Sequence, residues 1–543
     1  MWFAENISWR QFRRSLGGFS AIVCKDGSTV WAEDASGKTI ASGEAGVDDA
    51  SVIQSALDAV GSRGGGKVYL ADGTYLNSQP ISINYSNMEL QGMGWSTILK
   101  FKDGIQPEFN ILTISSGCSG IVIANLQLDC NKANTTKPSA HIFGAGIRIN
   151  TASAVIKNVY IHDAHYRCAF SYSGHDVIIQ NCKFENADES QLDIDHGCHR
   201  WLVADNEISG PDTSNGIGVD GTAEYTTDII ISRNRIKGLN QGIIVAGDAV
   251  YNVNIAHNLI RECKVGIRVN KASVEGNSIH KCLNYGIYAE KSSIVANHIF
   301  AMLGGNSIYA VNYNLIVGNH IYGGQAPIYV SGNRNSIRWN FFHNPDNYYL
   351  RISGDYNVFE NNYILEDRKS TALAEDVSAG EDEICVNDIV FVPGEIIGVI
   401  LDDETEFETQ VLEILDSAEY GTANRLLLKD ALSYQASAGN AVKSKAYPWN
   451  PDVSGANNIL RNNFGYTTEN SGTATFSGDG TTTQFSIAHG LVSAPTKIQV
   501  TPMTADAASD FYVTADDTNI YINYKSAPPS GTDNLKFSWY AEV

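Results

Sequence analysis

The chain has 543 residues and a formal net charge of −22, from Lys+Arg 38 against Asp+Glu 60, with 43% hydrophobic and only 18% charged residues, Gly 49 and Tyr 26. That length supports several domains and a sizeable core, and the low charge with abundant Gly and Tyr favours β structure. The acidic surplus repels phosphate backbones and anionic lipid, so nucleic acid and membrane surfaces are excluded as expected partners, and no apolar run approaches the ~20 residues of a membrane helix.

Residues 1–45 carry short β patterns around Lys25-Asp26-Gly27 and Ser36-Gly37-Lys38 and are expected to form a small head or attachment segment. Met1 to Ser20 alternates charge with aromatics instead of building a signal-peptide core, so no signal peptide and folding in a cytoplasm are expected. The nine cysteines have neither CxxC nor zinc spacing and are expected as reduced core thiols, with Cys263–Cys282 the one pair open to a disulfide. Ala50 to Val60 reads as an amphipathic helix.

The strongest signal is an internal repeat. Asn recurs at 125, 158, 181, 206, 234, 258, 277, 297, 319, 340 and 362, and a β-branched or aromatic residue stands three positions before each, from Val122 to Phe359. From Asn206 onward an Ile or Phe follows two positions later, so each Asn is expected at a bend between two short strands. A period of 19 to 33 residues without helical patterning suits a parallel β-solenoid, in which equivalent residues stack at ~4.8 Å and an Asn column forms an amide ladder. A second strand per turn reads Gly-Ile-x-Val, as in Gly146-Ile147-Arg148-Ile149 and Gly266-Ile267-Arg268-Val269. Its Ile/Val positions point inward and its x positions line an exposed face.

These residues resemble a known family. Asp48-Asp49, the helical segment, Gly64-Gly65-Gly66-Lys67-Val68-Tyr69-Leu70 and Asp72-Gly73-Thr74-Tyr75 look like the opening of the pectate-lyase-like right-handed parallel β-helix superfamily, where the helix caps the solenoid. The layout is most similar to bacteriophage tailspike polysaccharide depolymerases. The resemblance implies an all-β chain: a head at 1–45, a right-handed parallel β-helix at 46–367 with a capping helix at 50–60, and an inserted small β domain at 368–452. A final β-helix turn at 453–470 and a C-terminal β-sandwich at 471–543 complete it, the sandwich serving capping, trimerisation or glycan binding. It also implies a homotrimer on a virion tail or outside the cell, joined to other tail proteins through the N-terminal segment, with a cell-surface polysaccharide as substrate.

Turn length locates the groove. The intervals after Asn125, Asn158, Asn181 and Asn206 are 33, 23, 25 and 28 residues, against 19, 20, 22, 21 and 22 from Asn258 onward, and extra residues in a solenoid rise as walls beside the stack. The outward columns there bring Asp193, Asp195 and Asp220 to one patch. Asp193 and Asp195 are about 6.6 Å apart along the strand, and Asp220 lies about 4.8 Å from Asp195 across it. Like charges at that spacing push at least one pKa upward, the acid-plus-carboxylate pair that glycoside hydrolysis requires. Arg148 and Arg268 are expected to hold anionic sugar groups, and Tyr172, Tyr288, Tyr309, His165, His196 and Glu290 to line the sugar path.

Three alternatives stay open. Asp193-Ile194-Asp195-His196 is similar to the Asp-Pro-His-Glu segment of mannuronan epimerases, with Asp195 in the His column and Gly197 in place of the Glu. A pectate-lyase chemistry would use clustered Asp for Ca2+ with an Arg base; for hydrolysis no cofactor or metal is expected. A non-catalytic glycan-binding fibre is the third.

Overall fold

The computed structural model describes residues 18–150, 153–222, 224–300, 302, 305–322, 326–343, 350–365, 370–387, 396–415, 424–444, 452–464 and 467–543. The chain divides into two compact units, Met1–His320 with Ile328–Ser336, and Ile321–Pro327 with Ile337–Val543.

The first unit is a parallel β-solenoid. It opens with the antiparallel strands Ala21–Asp26, Thr29–Asp34 and Thr39–Glu44. Ala21–Asp26 also pairs in parallel with Gly66–Leu70. Residues 21–44, within the expected head or attachment segment at 1–45, are thus joined to the solenoid's sheet; residues 1–17 of that segment lie outside the described residues. The helix spans Asp49–Gly61 and buries Ala50, Val52, Ile53, Ala56, Leu57 and Val60, the 3.6-residue stripe that made it legible. Buried Asp49 is satisfied by Lys25 Nζ at 2.7 Å and by the Leu76 and Gly46 amides at 2.7 and 2.9 Å.

Eleven successive strands, from Ile81–Ile83 through Arg167–Tyr172, Ser190–Asp195, Asn215–Asp220, Gln241–Ala246 and Val265–Asn270 to Ile328–Val330, pair in parallel as one sheet. Ile217, Ile243, Ile267, Ile287, Ile308 and Ile328 form one fully buried inward column. The Gly before the first four of them has a steric cause: a Cβ on Gly242 would stand 2.6 Å from the Gly266 carbonyl oxygen of the next turn.

The Asn ladder exists and begins later than the sequence pattern implies. Asn206, Asn234, Asn258, Asn277, Asn297 and Asn319 are buried, each Nδ2 donating to the next Oδ1 at 2.9–3.0 Å. Asn125, Asn158 and Asn181 are not in that column. They sit in the left-handed region at φ 56°, 54° and 53°, one residue earlier, and it is the Cys182 amide that meets Asn206 Oδ1 at 2.8 Å. The ladder residues themselves follow a left-handed residue, such as Asp205, Arg233 or His257. Asn is favoured both at left-handed corners and in amide stacks, so one letter marks two neighbouring positions. A second amide column, Asn314 Nδ2 to Asn335 Oδ1 at 2.8 Å, follows the other corner.

In the second unit Phe341–His343 pairs with Tyr363–Leu365 and Val358–Glu360 with Ile459–Arg461, with Asn340, Asn362 and Asn463 continuing the amide pattern. Between Tyr363–Leu365 and Asp452–Val453, which returns to pair with Leu350–Ile352, lies a six-stranded antiparallel sheet built on Leu373, Ile384, Val399, Val411, Leu426 and Val442. The C-terminal segment forms two three-stranded antiparallel sheets around Phe485, Ile520, Ile522, Leu535, Phe537 and Trp539. All nine cysteines, Cys263 and Cys282 included, are buried and stand outside any disulfide.

Candidate active site

The outward face of this sheet carries three columns over the turns that bear the acids. The middle one runs Arg148, Phe170, Asp193, Gly218, Ile244, Arg268, Tyr288, Tyr309 in unbroken register. In the next, Tyr172 pairs with Asp195, and the register Ile194–Val219 carried one residue further brings Asp220 beside Asp195. The third starts with Arg167, Ser190, Asn215 and Gln241.

Asp193 and Asp195 point outward yet are only 7% and 9% exposed, because Arg167 lies across them. Its Nε is 2.7 Å from Asp193 Oδ2 and 3.5 Å from Glu189 Oε2. Its Nη1 is 3.4 Å from Asp195 Oδ2 and donates to the Tyr172 hydroxyl at 3.1 Å. Phe170 beneath is fully buried, with the Arg167 and Arg148 guanidinium carbons each 5.7 Å from its ring centroid. Gly218 leaves room for the acids: a Cβ there would collide with Asp193 Oδ1.

Burial first, then the Asp193 charge, pushes Asp195 up to about 7, against the pull of Arg167. Burial also raises Asp193, opposed by Arg167 and a Ser190 hydrogen bond, while Glu189 and Asp220 add to the rise. The surrounding carboxylates hold Arg167 firmly protonated despite its burial. Burial raises both carboxyls, and Arg167, 2.7 Å from Asp193 and 3.4 Å from Asp195, opposes the rise in each.

The other expected residues divide into two groups. Tyr172 and His196 adjoin the acids: their rings lie 5.8 Å apart, and His196 Nε2 is 3.0 Å from Thr222 Oγ1. His165 turns to the wall, with Nε2 3.1 Å from Thr135 Oγ1 and burial lowering its pKa. Arg268 lies three turns beyond Asp193, about 14 Å along the stack. There it covers Tyr288 at 5.3 Å, which stacks on Tyr309 at 5.0 Å and 8°, and Glu290 pairs with Lys291 at 3.3 Å. The acids and the tyrosines thus form two patches, separated by Gly218 and Ile244.

Two residues central to the geometry had no assigned role from sequence. Strict alternation points Cys168 outward, but Cys168 and Ala169 are both buried at the corner, which turns Arg167 out instead. Glu189 precedes its strand. The signal that would have found Arg167 is the glycine column at 216, 242, 266 and 286, which Cys168 joins.

As for metals, Asp129, His162 and Asp163 are the one convergent ligand group among the described residues. Their atoms are already engaged: Asp129 with Lys100 at 2.9 Å and the Asn131 amide at 2.8 Å, His162 with Gln127 at 2.8 Å and Asp163 at 2.7 Å. In the groove, Arg167 supplies the positive charge between Asp193 and Asp195.

The family described as right handed beta helix region matches residues 145–297, the turns that carry these acids. No curated protein matches the sequence. Among solved structures, the Pseudomonas phage phi297 tailspike gp61 aligns over 91% of this chain and 92% of its own, at 10% identity and TM-score 0.52. The pre-mature bacteriophage phi29 gene product 12 aligns over 60% of this chain and 51% of its own, at 15% identity and TM-score 0.52. The Azotobacter vinelandii mannuronan C-5 epimerase AlgE6 A-module aligns over 59% and 91%, at 19% identity and TM-score 0.45. No helix among the described residues is long and apolar enough to cross a membrane. The first unit therefore has the right-handed parallel β-helix fold.

Proposed function

We propose that the chain is a tailspike-like depolymerase that hydrolyses glycosidic bonds of a cell-surface polysaccharide in the groove of its first unit. The observation that carries this reading is the paired state of two buried, outward carboxyls: Asp193 ion-paired to Arg167 and Asp195 raised to about 7. Asp195 protonates the leaving glycosidic oxygen, and Asp193 with Asp220 supplies the carboxylate that activates water or attacks the anomeric carbon. The tyrosines at 288 and 309 offer faces to sugar units farther along, and Arg148 and Arg268, poised on Phe170 and Tyr288, face anionic substituents. The match with a phage tailspike over nearly the whole of both chains supports a place on a virion tail, and a homotrimer bound to other tail proteins is part of the same proposal.

Lyase chemistry with an arginine base is disfavoured at Arg167, which Asp193, the Tyr172 hydroxyl and Asp195 hold protonated against its burial. The test is to screen capsular and exopolysaccharides, weigh the products, and repeat with Asp193→Asn, Asp195→Asn and Asp220→Asn. A gain of one water per cut, lost in the Asp193 and Asp195 variants, is expected. Products with the ultraviolet absorbance of an unsaturated uronate select elimination instead. Binding without cleavage on every glycan selects a fibre, and unchanged cleavage in all three variants moves the site elsewhere.

A further inference from the structure

The longest insertion among the turns around the acids, residues 130–146, stands beside them as a wall and is fastened at many points. Asn131 Nδ2 donates to the Phe101 carbonyl at 2.8 Å, and Lys132 Nζ reaches Asn186 Oδ1 at 2.9 Å and Asp188 Oδ1 at 2.7 Å. The Tyr166 hydroxyl donates to the Pro138 carbonyl at 3.1 Å, and Ser139 Oγ donates to Glu108 at 2.6 Å. Among the described residues, one fastener also touches the charge cluster. His141 Nδ1 is 2.8 Å from Glu189 Oε2, the same oxygen that lies 3.5 Å from Arg167 Nε. The His141 ring stacks on Tyr166 at 4.4 Å, and the Tyr166 carbonyl accepts the Glu189 and Ser190 amides at 3.0 and 3.1 Å. The wall, the link and the strand bearing both acids are therefore joined within two residues of Asp193's own strand start.

We propose that Glu189 is a positioning residue whose one carboxylate oxygen ties the wall, through His141, to Arg167 and so to the orientation of Asp193 and Asp195. The inference rests on the hydrolytic reading for its activity arm only. Asp193 and Glu189 compete for the same guanidinium nitrogen, at 2.7 and 3.5 Å. A wall pulled away with His141 frees Glu189 to move onto Arg167, and a wall seated on His141 leaves Arg167 to Asp193. The titratable and charged groups that face Glu189 are His141 from the wall and Arg167, Asp193 and Asp195 from the floor, with Lys132 committed to the adjacent Asp188. Substrate that displaces the wall would thereby reset the acids, and reciprocally a change at the floor is felt in the wall.

Hydrogen exchange of residues 132–144 in the full chain gives the substrate-free test. Glu189→Gln, His141→Ala and the floor variant Arg167→Lys are each expected to speed exchange there roughly tenfold, with the Asp49–Gly61 helix unchanged as an internal control. Unchanged exchange in Arg167→Lys overturns the coupling, since a purely local wall fastener would not sense the floor. The activity arm uses whichever glycan the wild type cleaves. Glu189→Gln removes a charge that opposes ionisation of Asp193 and Asp195, so the midpoint of the pH profile moves down by about half a unit. Glu189→Asp keeps the charge but shortens the reach, leaving the midpoint near wild type while the wall still loosens. A Glu189→Gln profile identical to wild type in both midpoint and height overturns the proposal. If no glycan is cleaved, the hydrolytic reading fails alone and the exchange measurement still decides this one.

Discussion

The amide column and the acid cluster are both buried polar features stacked by the same register, and they end in opposite electrostatic states. Asn258 illustrates the first. Its Nδ2 donates to Ile231 O at 2.9 Å and Asn277 Oδ1 at 3.0 Å, and its Oδ1 accepts the Asn234 amide and Nδ2, both at 2.9 Å. An amide carries donor and acceptor, so a copy of itself one turn away is a complete partner. A carboxylate carries acceptors alone, and stacking acids accumulates charge that Arg167 must serve for Glu189, Asp193 and Asp195 together. A solenoid therefore gains stability by repeating Asn and loses it by repeating Asp, and the second pattern points to chemistry and not to stability.

The largest expected effect separates the two outright. Asp193→Asn and Asp195→Asn should lower cleavage by about 10²–10⁴-fold while leaving the Tm at pH 8 unchanged or higher. A Tm loss in both variants without loss of cleavage would make the cluster structural. The opposite outcome is expected at the ladder. Asn258→Ala leaves the Ile231 carbonyl and the Asn234 amide without partners in the core and should cost about 2–4 kcal/mol in denaturant unfolding. Its cleavage rate at low temperature should stay that of wild type.

The contrast also explains what the sequence made legible. Inward Ile and the glycines before them recur because each turn imposes the same packing, so the fold could be read from spacing. Asp193 and Asp195 share a face because strand alternation holds from Phe170 to Tyr172 and from Leu192 to Asp195. Arg167 escaped because alternation breaks at Cys168–Ala169, and the first three ladder positions slipped by one because Asn125, Asn158 and Asn181 are left-handed corner residues. The burial of the acids was invisible for another reason. It arises from Arg167 and from the Arg148–Phe170 stack, contacts between side chains of different turns that no local pattern encodes.

A third effect sharpens the comparison through pH. Asp195 titrates higher in the folded chain, at about 7, than its ordinary 3.8, so the folded state holds this proton more tightly than the unfolded chain does. Its stabilising contribution is complete below about pH 3.8 and is lost as pH rises through about 7. Relative to Asp195→Asn, the wild type should therefore lose about 2–4 kcal/mol between pH 4.5 and 7.5. Paired denaturant titrations at the two pH values measure the difference. An equal pH dependence in wild type and variant would show that Asp195 is ionised throughout and cannot serve as the acid.

The smallest effect on stability compares two glycines, one in each setting. A Cβ on Gly242 would meet a backbone carbonyl, 2.6 Å away, which cannot yield without moving the next turn, so Gly242→Ala should cost about 1–3 kcal/mol and leave the groove chemistry intact. A Cβ on Gly218 would meet Asp193 Oδ1, the tip of a side chain, and neither glycine needs a left-handed backbone. Gly218→Ala can therefore be absorbed by rotating the Asp193 carboxylate, at a stability cost under about 1 kcal/mol. That rotation takes Asp193 off Arg167, so cleavage should fall about tenfold and the pH midpoint should shift with it. If Gly218→Ala lowers stability as much as Gly242→Ala and leaves the profile in place, Gly218 serves packing like the other glycines, and the room beside Asp193 has no part in positioning the acid.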